Sequence, residues 1–333
     1  MDEIDKKLLN IIQADFPLEA RPFAALGGKI DISQEEVINR IEALKRGGVI
    51  RQINAIFDSR ALGFTSTLVA MKFPPERLDE AASVINRHPG VSHNYARYHP
   101  FNLWFTITLP PGEDLEATVN KLAQEAGAEH TLILPVIRLF KIGVKLDVER
   151  GAGVKREEAP RRTQPRDTGL TPEDYRAIGQ LEKDIPLIDR PFKLLAQEIG
   201  MEEEALLNKA HKFLAEGKMR RYAAVLNHRQ AGFRANAMGV WRVPEDRVEE
   251  VGRMMASFTA VSHCYQRPSF PEFPYNLYTM VHGRNVRECQ SVLTAISEET
   301  GITEYIPLYS TKEYKKVRVK YYQPGTSGAV DEG

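Results

Sequence analysis

Two short blocks carry most of the chemistry in this sequence. One is His93-Asn94-Tyr95-Ala96-Arg97, the other His263-Cys264-Tyr265-Gln266-Arg267. On an extended strand alternate residues share a face. His93, Tyr95 and Arg97 therefore project together, and so do His263, Tyr265 and Arg267. An imidazole titrates near neutral pH and can deliver a proton. A guanidinium can hold a carboxylate through two parallel hydrogen bonds. A phenol can orient either group or donate a proton. One such triplet alone would pass for decoration of a solvated face. Its presence in both copies of a diverged repeat marks it as functional.

The repeat runs through the chain. Asp15 to Phe23, DFPLEARPF, recurs as DIPLIDRPF from Asp184 to Phe192, an offset of 169 residues (184 − 15). Gly63-Phe64 recurs as Gly232-Phe233, VSHNYAR as VSHCYQR, and FNLW (Phe101 to Trp104) as YNLY (Tyr275 to Tyr278), with SFPEFP inserted in the second copy. In each copy three short helices precede an extended segment, a winged helix-turn-helix outline. In the first copy Ile4, Leu8, Leu9, Ile11 and Ile12 share one helix face. Pro22 suits a helix start, and Ser33 with Glu36 predicts a capping box. Val37, Ile38, Ile41 and Leu44 line the third helix, and Gly47-Gly48 end it. Strand 65–73, helix 76–87, strands 91–98 and 103–109, helix 114–126 and strand 131–140 follow. The fold class is thus α+β, a tandem duplication of a winged helix-turn-helix unit and a ferredoxin-like βαββαβ sandwich. The expected units are helix-turn-helix at 1–63 and 170–233, sandwich at 64–147 and 234–321, linker at 148–169 and disordered tail at 322–333.

The helices of each sandwich cover one sheet face and leave the other free to meet a second sheet. Both triplets would then flank one cavity, walled by Tyr95, Tyr265, Trp104 and Tyr278. Such a site suits a large, flat, polycarboxylated ligand. Asn102 and Asn276 recur just after the triplets and either orient ligand polar groups or shape a turn. Lys141 and Lys315 close the last strands, where they either meet ligand carboxylates or stand exposed. The two RPF segments (Arg21 to Phe23 and Arg190 to Phe192) read as parts of the helical framework. His282, in MVHGR, is a weaker candidate for this chemistry, because a lone histidine at a strand end is usually structural.

Composition excludes several classes. Lys+Arg and Asp+Glu both total 45, so no net charge drives the chain toward nucleic acid or an anionic membrane. No apolar run is long enough to span a bilayer, and the N-terminus does not read as a signal peptide. Cys264 and Cys289 lack zinc-ligand spacing, and a reducing cytoplasm is the expected location. Dinucleotide and phosphate loops, the GxSxG elbow and HExxH are all absent. Helix-turn-helix followed by βαββαβ resembles the layout of the Lrp/AsnC transcription regulators. Yet the expected recognition helices begin with Glu35-Glu36 and Glu202-Glu203-Glu204, which would face a polyanion. Arg40, Lys209 and Lys212 lie deeper in those helices. DNA binding is therefore not expected, and the helix-turn-helix reads as a structural or dimerising element. A ligand-responsive regulator is the alternative reading.

The blocks DFPLEARPF, GVIRQINAIFDSRALGF, HNYARYHPFNLWFT, AGFRANAMGVWRVPEDRVEEVG, VSHCYQRP and PYNLYTMVHGR resemble the siroheme decarboxylase family, Lrp-like enzymes of alternative haem and haem d1 biosynthesis. The likeness covers nearly the whole chain outside linker and tail. It implies two homologous subunit types fused in one chain. It also implies a carboxy-lyase that removes the acetate carboxyls on rings C and D of siroheme, giving 12,18-didecarboxysiroheme through a monodecarboxylated intermediate. Siroheme is then the substrate, with no further cofactor. On this resemblance His93 and His263, with Tyr95 and Tyr265, are the candidate proton donors. Either histidine is alternatively an axial ligand of the siroheme iron. Arg97, Arg267, Asn102, Asn276, Trp104, Tyr278, Lys141 and Lys315 are the candidate substrate contacts. The partner is a pseudo-dimer of the two repeats or a homodimer. The linker, about 25 Å in mean reach at about 5–6 Å × √n, permits pairing within the chain.

Overall fold

The computed structural model describes residues 1–142, 169–226 and 235–322. Most of the expected linker, nearly all of the expected tail and the Gly232-Phe233 pair lie outside them. The first helical unit comprises α1 (Glu3–Ala14), α2 (Pro22–Ile30) and α3 (Gln34–Arg46). Leu8, Leu9 and Ile12 of α1 and Val37, Ile41 and Leu44 of α3 are buried, as their spacing requires. The Ser33 hydroxyl accepts the Glu36 N–H at 3.1 Å. The reciprocal half of the expected capping box is replaced, because the Glu36 carboxylate accepts from Arg40 instead, at 2.7 Å. A complete box forms at α1, between Asp2 and Asp5.

The extended segment after α3 is β1 (Ile50–Phe57). It is not half of a wing hairpin. Its partner is the equivalent strand of the second copy, antiparallel with Ile53 opposite Ala224. The two helical units therefore share one core. Phe16 of the first copy packs against Tyr222 of the second at 5.7 Å between ring centroids, and Phe192 joins them at 5.5 Å.

The first sandwich follows as β2 (Thr65–Lys72), α4 (Leu78–Asn86), β3 (Val91–Arg97), β4 (Leu103–Leu109), α5 (Leu115–Ala126) and β5 (His130–Pro135). The last strand expected from sequence breaks at Val136-Ile137 and resumes as β6 (Arg138–Ile142). Pro135, which has no N–H to donate, closes β5. The second copy repeats the plan. Its helices are α6 (Pro172–Leu181), α7 (Pro191–Gln197) and α8 (Glu203–Ala215), and its first strand is β7 (Met219–Leu226). Its sandwich is β8 (Ala235–Trp241), α9 (Val248–Ser257), β9 (Val261–Gln266), β10 (Leu277–Gly283), α10 (Val286–Thr300) and β11 (Tyr305–Lys316).

The two sandwiches join through their last strands. The order in the nine-stranded sheet is β5-β2-β4-β3-β11-β8-β10-β9-β6. β11 begins beside β8 of its own copy, and from Ser310 onward it pairs with β3 of the other. β6 makes the reciprocal crossing and pairs with β9. Because β5 and β6 are consecutive in the chain yet stand at opposite ends of the order, the wall closes on itself. The pseudo-dimer thus forms within one chain. α4 and α5 cover the outside of one half, α9 and α10 the outside of the other. The inward faces enclose a cavity, with Trp104, Phe273, Tyr278, Leu134 and Leu308 in the layer between them.

Candidate active site

Both triplets face this cavity, whose volume is about 920 Å³. That is at the upper end of small-molecule sites, roughly 300–1,000 Å³. Local geometry explains how the histidines reach it. Val91 is core beneath the helices, and simple alternation would send His93 to the same side. A β-bulge intervenes. Val91 pairs with Ile107 but His93 with Thr106, so Ser92 is the extra residue. The bulge turns His93, and with it Tyr95 and Arg97, inward. The second copy carries the same device. His263 pairs with Met280 and Val261 with Val281, leaving Ser262 as the extra residue.

Each triplet is a ladder of stacked groups. The His93 and Tyr95 rings lie 6.3 Å apart at 30°, and His263 and Tyr265 lie 6.0 Å apart at 30°. The Arg97 guanidinium sits 5.8 Å from the Tyr95 ring, and that of Arg267 sits 5.0 Å from Tyr265 and 5.6 Å from Tyr278. Each arginine also reaches across the pseudo-dimer. Arg97 donates to the Leu308 carbonyl of the second copy, and Arg267 to the Leu134 carbonyl of the first. The Nε atoms of both arginines, the Tyr278 hydroxyl and the Ser310 hydroxyl are buried without a hydrogen-bond partner, and all four residues line the cavity. Buried donors left unpaired are costly, so this wall is arranged for a ligand rich in acceptors.

The charge of the lining agrees. Arg60, Arg97, Arg138, Arg220, Arg267 and Lys316 line the cavity, against one carboxylate, Asp58, which Arg220 engages at 2.8 Å. Burial acts on all these groups. It pushes Arg97 down to about 10 and lowers Arg267 as well. It pushes His263 down to about 4, helped by His282, Arg220, His93 and Arg267. His93 is also lowered, first by burial and then by Lys316. Burial thus disfavours the charged form of both histidines. A polyanionic ligand would raise both values, because an opposite charge nearby favours the protonated form.

Not every expected contact is here. Asn102 clamps the backbone of Phe73, accepting its N–H at 3.0 Å and donating to its carbonyl at 2.8 Å. Asn276 holds Val243 in the same way, at 2.9 and 2.8 Å. Both fix the turn between strands and stand outside the cavity lining. Lys141 donates to the Phe258 carbonyl at 2.8 Å, and Lys315 to that of Asn86 at 2.8 Å. These lysines tie each crossing strand to the helix layer of the other copy and likewise do not line the cavity. Trp104 does, with its indole N–H satisfied by the Phe101 carbonyl at 2.7 Å, and so does Tyr278.

The structure adds residues that sequence reading missed. Arg60, after β1, and Arg220, on β7, belong to the helical units and form one end of the cavity with Ser59. Those units therefore furnish site residues as well as structure. The signal was present, because Arg60 recurs as Arg229 and Arg51 as Arg220, both at the offset of 169. Ser92 and Ser262 also recur, inside the VSH blocks. Val319 and Tyr321, beyond β11, fold back over the helical core. Tyr321 packs 5.1 Å from Phe64 and lines the cavity.

These features define a duplicated α+β protein with a ligand-sized cavity that draws on both copies. Comparison with known proteins agrees. The AsnC-like ligand binding domain matches residues 61–141 and 230–315, and the siroheme decarboxylase NirDL-like HTH domain matches 5–51 and 174–220. The siroheme decarboxylase of Hydrogenobacter thermophilus is 45% identical, over 96% of this chain and 95% of its own. The crystal structure of the siroheme decarboxylase NirDL in co-complex with an iron-uroporphyrin III analogue is 40% identical. It superposes with a TM-score of 0.77 over 96% of this chain and 94% of that one. The siroheme decarboxylase beta subunit of Methanosarcina barkeri is 42% identical over 44% of this chain and 97% of its own, so one whole subunit there corresponds to about one copy here. The chain belongs to the siroheme decarboxylase family.

Proposed function

We propose that the cavity binds siroheme and that the chain decarboxylates its acetate side chains, those on rings C and D. One observation carries this most strongly. Two inward His-Tyr-Arg ladders face each other in a cavity lined by six cationic side chains and one carboxylate already engaged by arginine. Membership of the family, and the relative solved with an iron-uroporphyrin III analogue, support the same ligand class.

Decarboxylation breaks the bond between the side-chain methylene and its carboxyl carbon. The electron pair stays on the methylene and carbon dioxide leaves. The methylene must then be protonated to a methyl. His263 and His93 line the cavity and are the donors in this reading, and Tyr95 and Tyr265 lie stacked against them. A general acid contributes about 10²–10⁴-fold, or about 3–5 kcal/mol of barrier. Substrate carboxylates raise the imidazole pKa values on entry, so binding itself arms the acid. Arg97 and Arg267 hold non-reacting carboxylates through their unpaired N–H groups. A neutral imidazole could instead ligate the iron through Nε2. Optical spectra of siroheme bound to H93A and H263A separate the two roles, since losing an axial ligand shifts the bands and losing a proton donor does not.

Two carboxyls leave one substrate, and one cavity holds one macrocycle. The monodecarboxylated intermediate therefore turns or rebinds to present its second acetate. Leaving DNA aside is supported by the fate of the helix cations. Arg40 is held by Asp2, Asp5 and Glu36, and Lys209 by Glu173 and Asp174. The same reading places the protein in the cytoplasm, where the free thiols of Cys264 and Cys289 persist. Among the described residues no helix is long and apolar enough to cross a membrane.

The test is anaerobic incubation of the purified protein with siroheme, followed by mass spectrometry. The expected result is sequential loss of two carbon dioxide masses. Siroheme bound and returned unchanged would make this a carrier. Sequence-selective, salt-dependent DNA binding without turnover would make it a regulator.

A further inference from the structure

The reaction needs protons delivered to carbon, and a cavity-lining residue outside both ladders, His282, stands near one of the donors. The Ser262 hydroxyl lies between two imidazoles, 2.8 Å from Nδ1 of His263 and 2.7 Å from Nε2 of His282. Its competing acceptor, the Met280 carbonyl, is farther, at 3.3 Å. The bulge that turns His263 inward also brings Ser262 to this side. His282 lies two residues beyond Met280, which pairs with His263.

The first copy lacks the second imidazole. Thr106 pairs with His93, and two residues beyond it stands Thr108. The Thr108 hydroxyl donates to Ser66, at 3.0 Å, while Ser92 touches Nδ1 of His93 at 3.1 Å. Behind the two ladders the pseudo-symmetry is therefore broken at one position, His282 against Thr108.

We propose that His282 is a positioning residue that re-supplies His263 with protons through Ser262, making His263 the donor that protonates the decarboxylated carbon. This rests on the siroheme reading above. The Ser262 O–H directed at Nδ1 keeps the imidazole proton of His263 on Nε2, the nitrogen away from the serine. As carbon dioxide departs, the methylene carbon takes that Nε2 proton. The Ser262 proton passes to Nδ1 of His263, and the Nε2 proton of His282 passes to Ser262. His282 enters doubly protonated and is left neutral, with its proton on Nδ1. After product leaves, a solvent proton binds Nε2 of His263, the Nδ1 proton returns to Ser262 and the Ser262 proton returns to Nε2 of His282, which restores the starting state. One proton is consumed per carboxyl lost, and charge balances. His93, without a second imidazole, has no such supply. Its place facing the substrate then suits binding or iron ligation better than repeated proton transfer.

The test uses the full-length protein with H282Q, whose amide still hydrogen-bonds Ser262 but carries no proton, and H282A. For H282Q, kcat for siroheme loss should fall at least tenfold while KM stays within about twofold. The pH dependence of kcat should change, because His282, Arg220, His93 and Arg267 are the charged or titratable groups acting on His263. Added imidazole should restore H282A, which a purely structural role would not allow. Unchanged kcat and pH profile in H282Q would overturn the relay. A second readout does not depend on turnover. ¹⁵N NMR of histidine-labelled wild-type protein should show neutral His263 protonated on Nε2, and S262A, which removes the hydroxyl at Nδ1, should lose that preference. A His263 proton on Nδ1 would overturn the relay, whereas wild-type protein that leaves siroheme intact would overturn the decarboxylase reading.

Discussion

The two His-Tyr-Arg ladders match at the front and differ at the back. In front, each presents an imidazole, a phenol and a guanidinium with nearly the same ring spacing, and each arginine grips a carbonyl of the opposite copy. Against His263 stands Ser262 and, beyond it, the cavity-lining His282, while against His93 stands Ser92 alone. Duplication and division of labour therefore occupy different layers. The layer that meets a pseudo-symmetric macrocycle is kept in both copies. The layer that supplies protons was free to diverge.

The largest expected effect tests that division directly. H263A should lower kcat at least a hundredfold, and H93A at least tenfold, both as folded proteins by circular dichroism. Equal losses would return the two ladders to equivalence, and full activity in both would place the acid elsewhere. Next comes binding. Arg60 and Lys316 line the cavity and make no ion pair among the described residues. R60A and K316A should each raise the siroheme Kd about tenfold with kcat little changed, about 1.4 kcal/mol apiece. R97A and R267A should weaken binding more than chemistry. Each also orphans a buried carbonyl of the other copy, so each should cost about 1–3 kcal/mol of stability in denaturant titration. If only one does, the strand crossings are not equivalent.

The smallest effect is a pH dependence of the ligand-free protein. His263 titrates at about 4 in the fold against an ordinary value of 6.5. Between these values the unfolded chain binds a proton that the native one refuses. Stability is therefore full above about pH 6.5 and falls as pH drops toward about 4. H263Q should remove about 1–3 kcal/mol of that fall, read as the difference between denaturation curves at pH 7 and pH 4.5. H93Q should remove less.

Much of this was legible in the residues. Helical periodicity marked the buried faces of α1 and α3, and recurrence of the VSH blocks singled out both ladders. Strand crossing was not legible, because a 131–140 run reads as one strand whether its second half pairs at home or with the other copy. The same holds for β1, whose partner lies in the other half of the chain. Asn102, Asn276, Lys141 and Lys315 recur as faithfully as the ladders yet hold backbone. Recurrence in a duplicated chain marks whatever both copies need, and a shared turn is needed as much as a shared ligand. His282 went the other way. It has no counterpart in the first copy, and only the bulge that brings Ser262 beside it gives it meaning.

The two copies build one site rather than two. Anaerobic titration of the protein with siroheme, followed by the shift of its absorption bands, tests this most directly. Saturation at one siroheme per chain is expected, with H93A and H263A each altering that single binding event. Saturation at two per chain, with each variant removing only one, would contradict it.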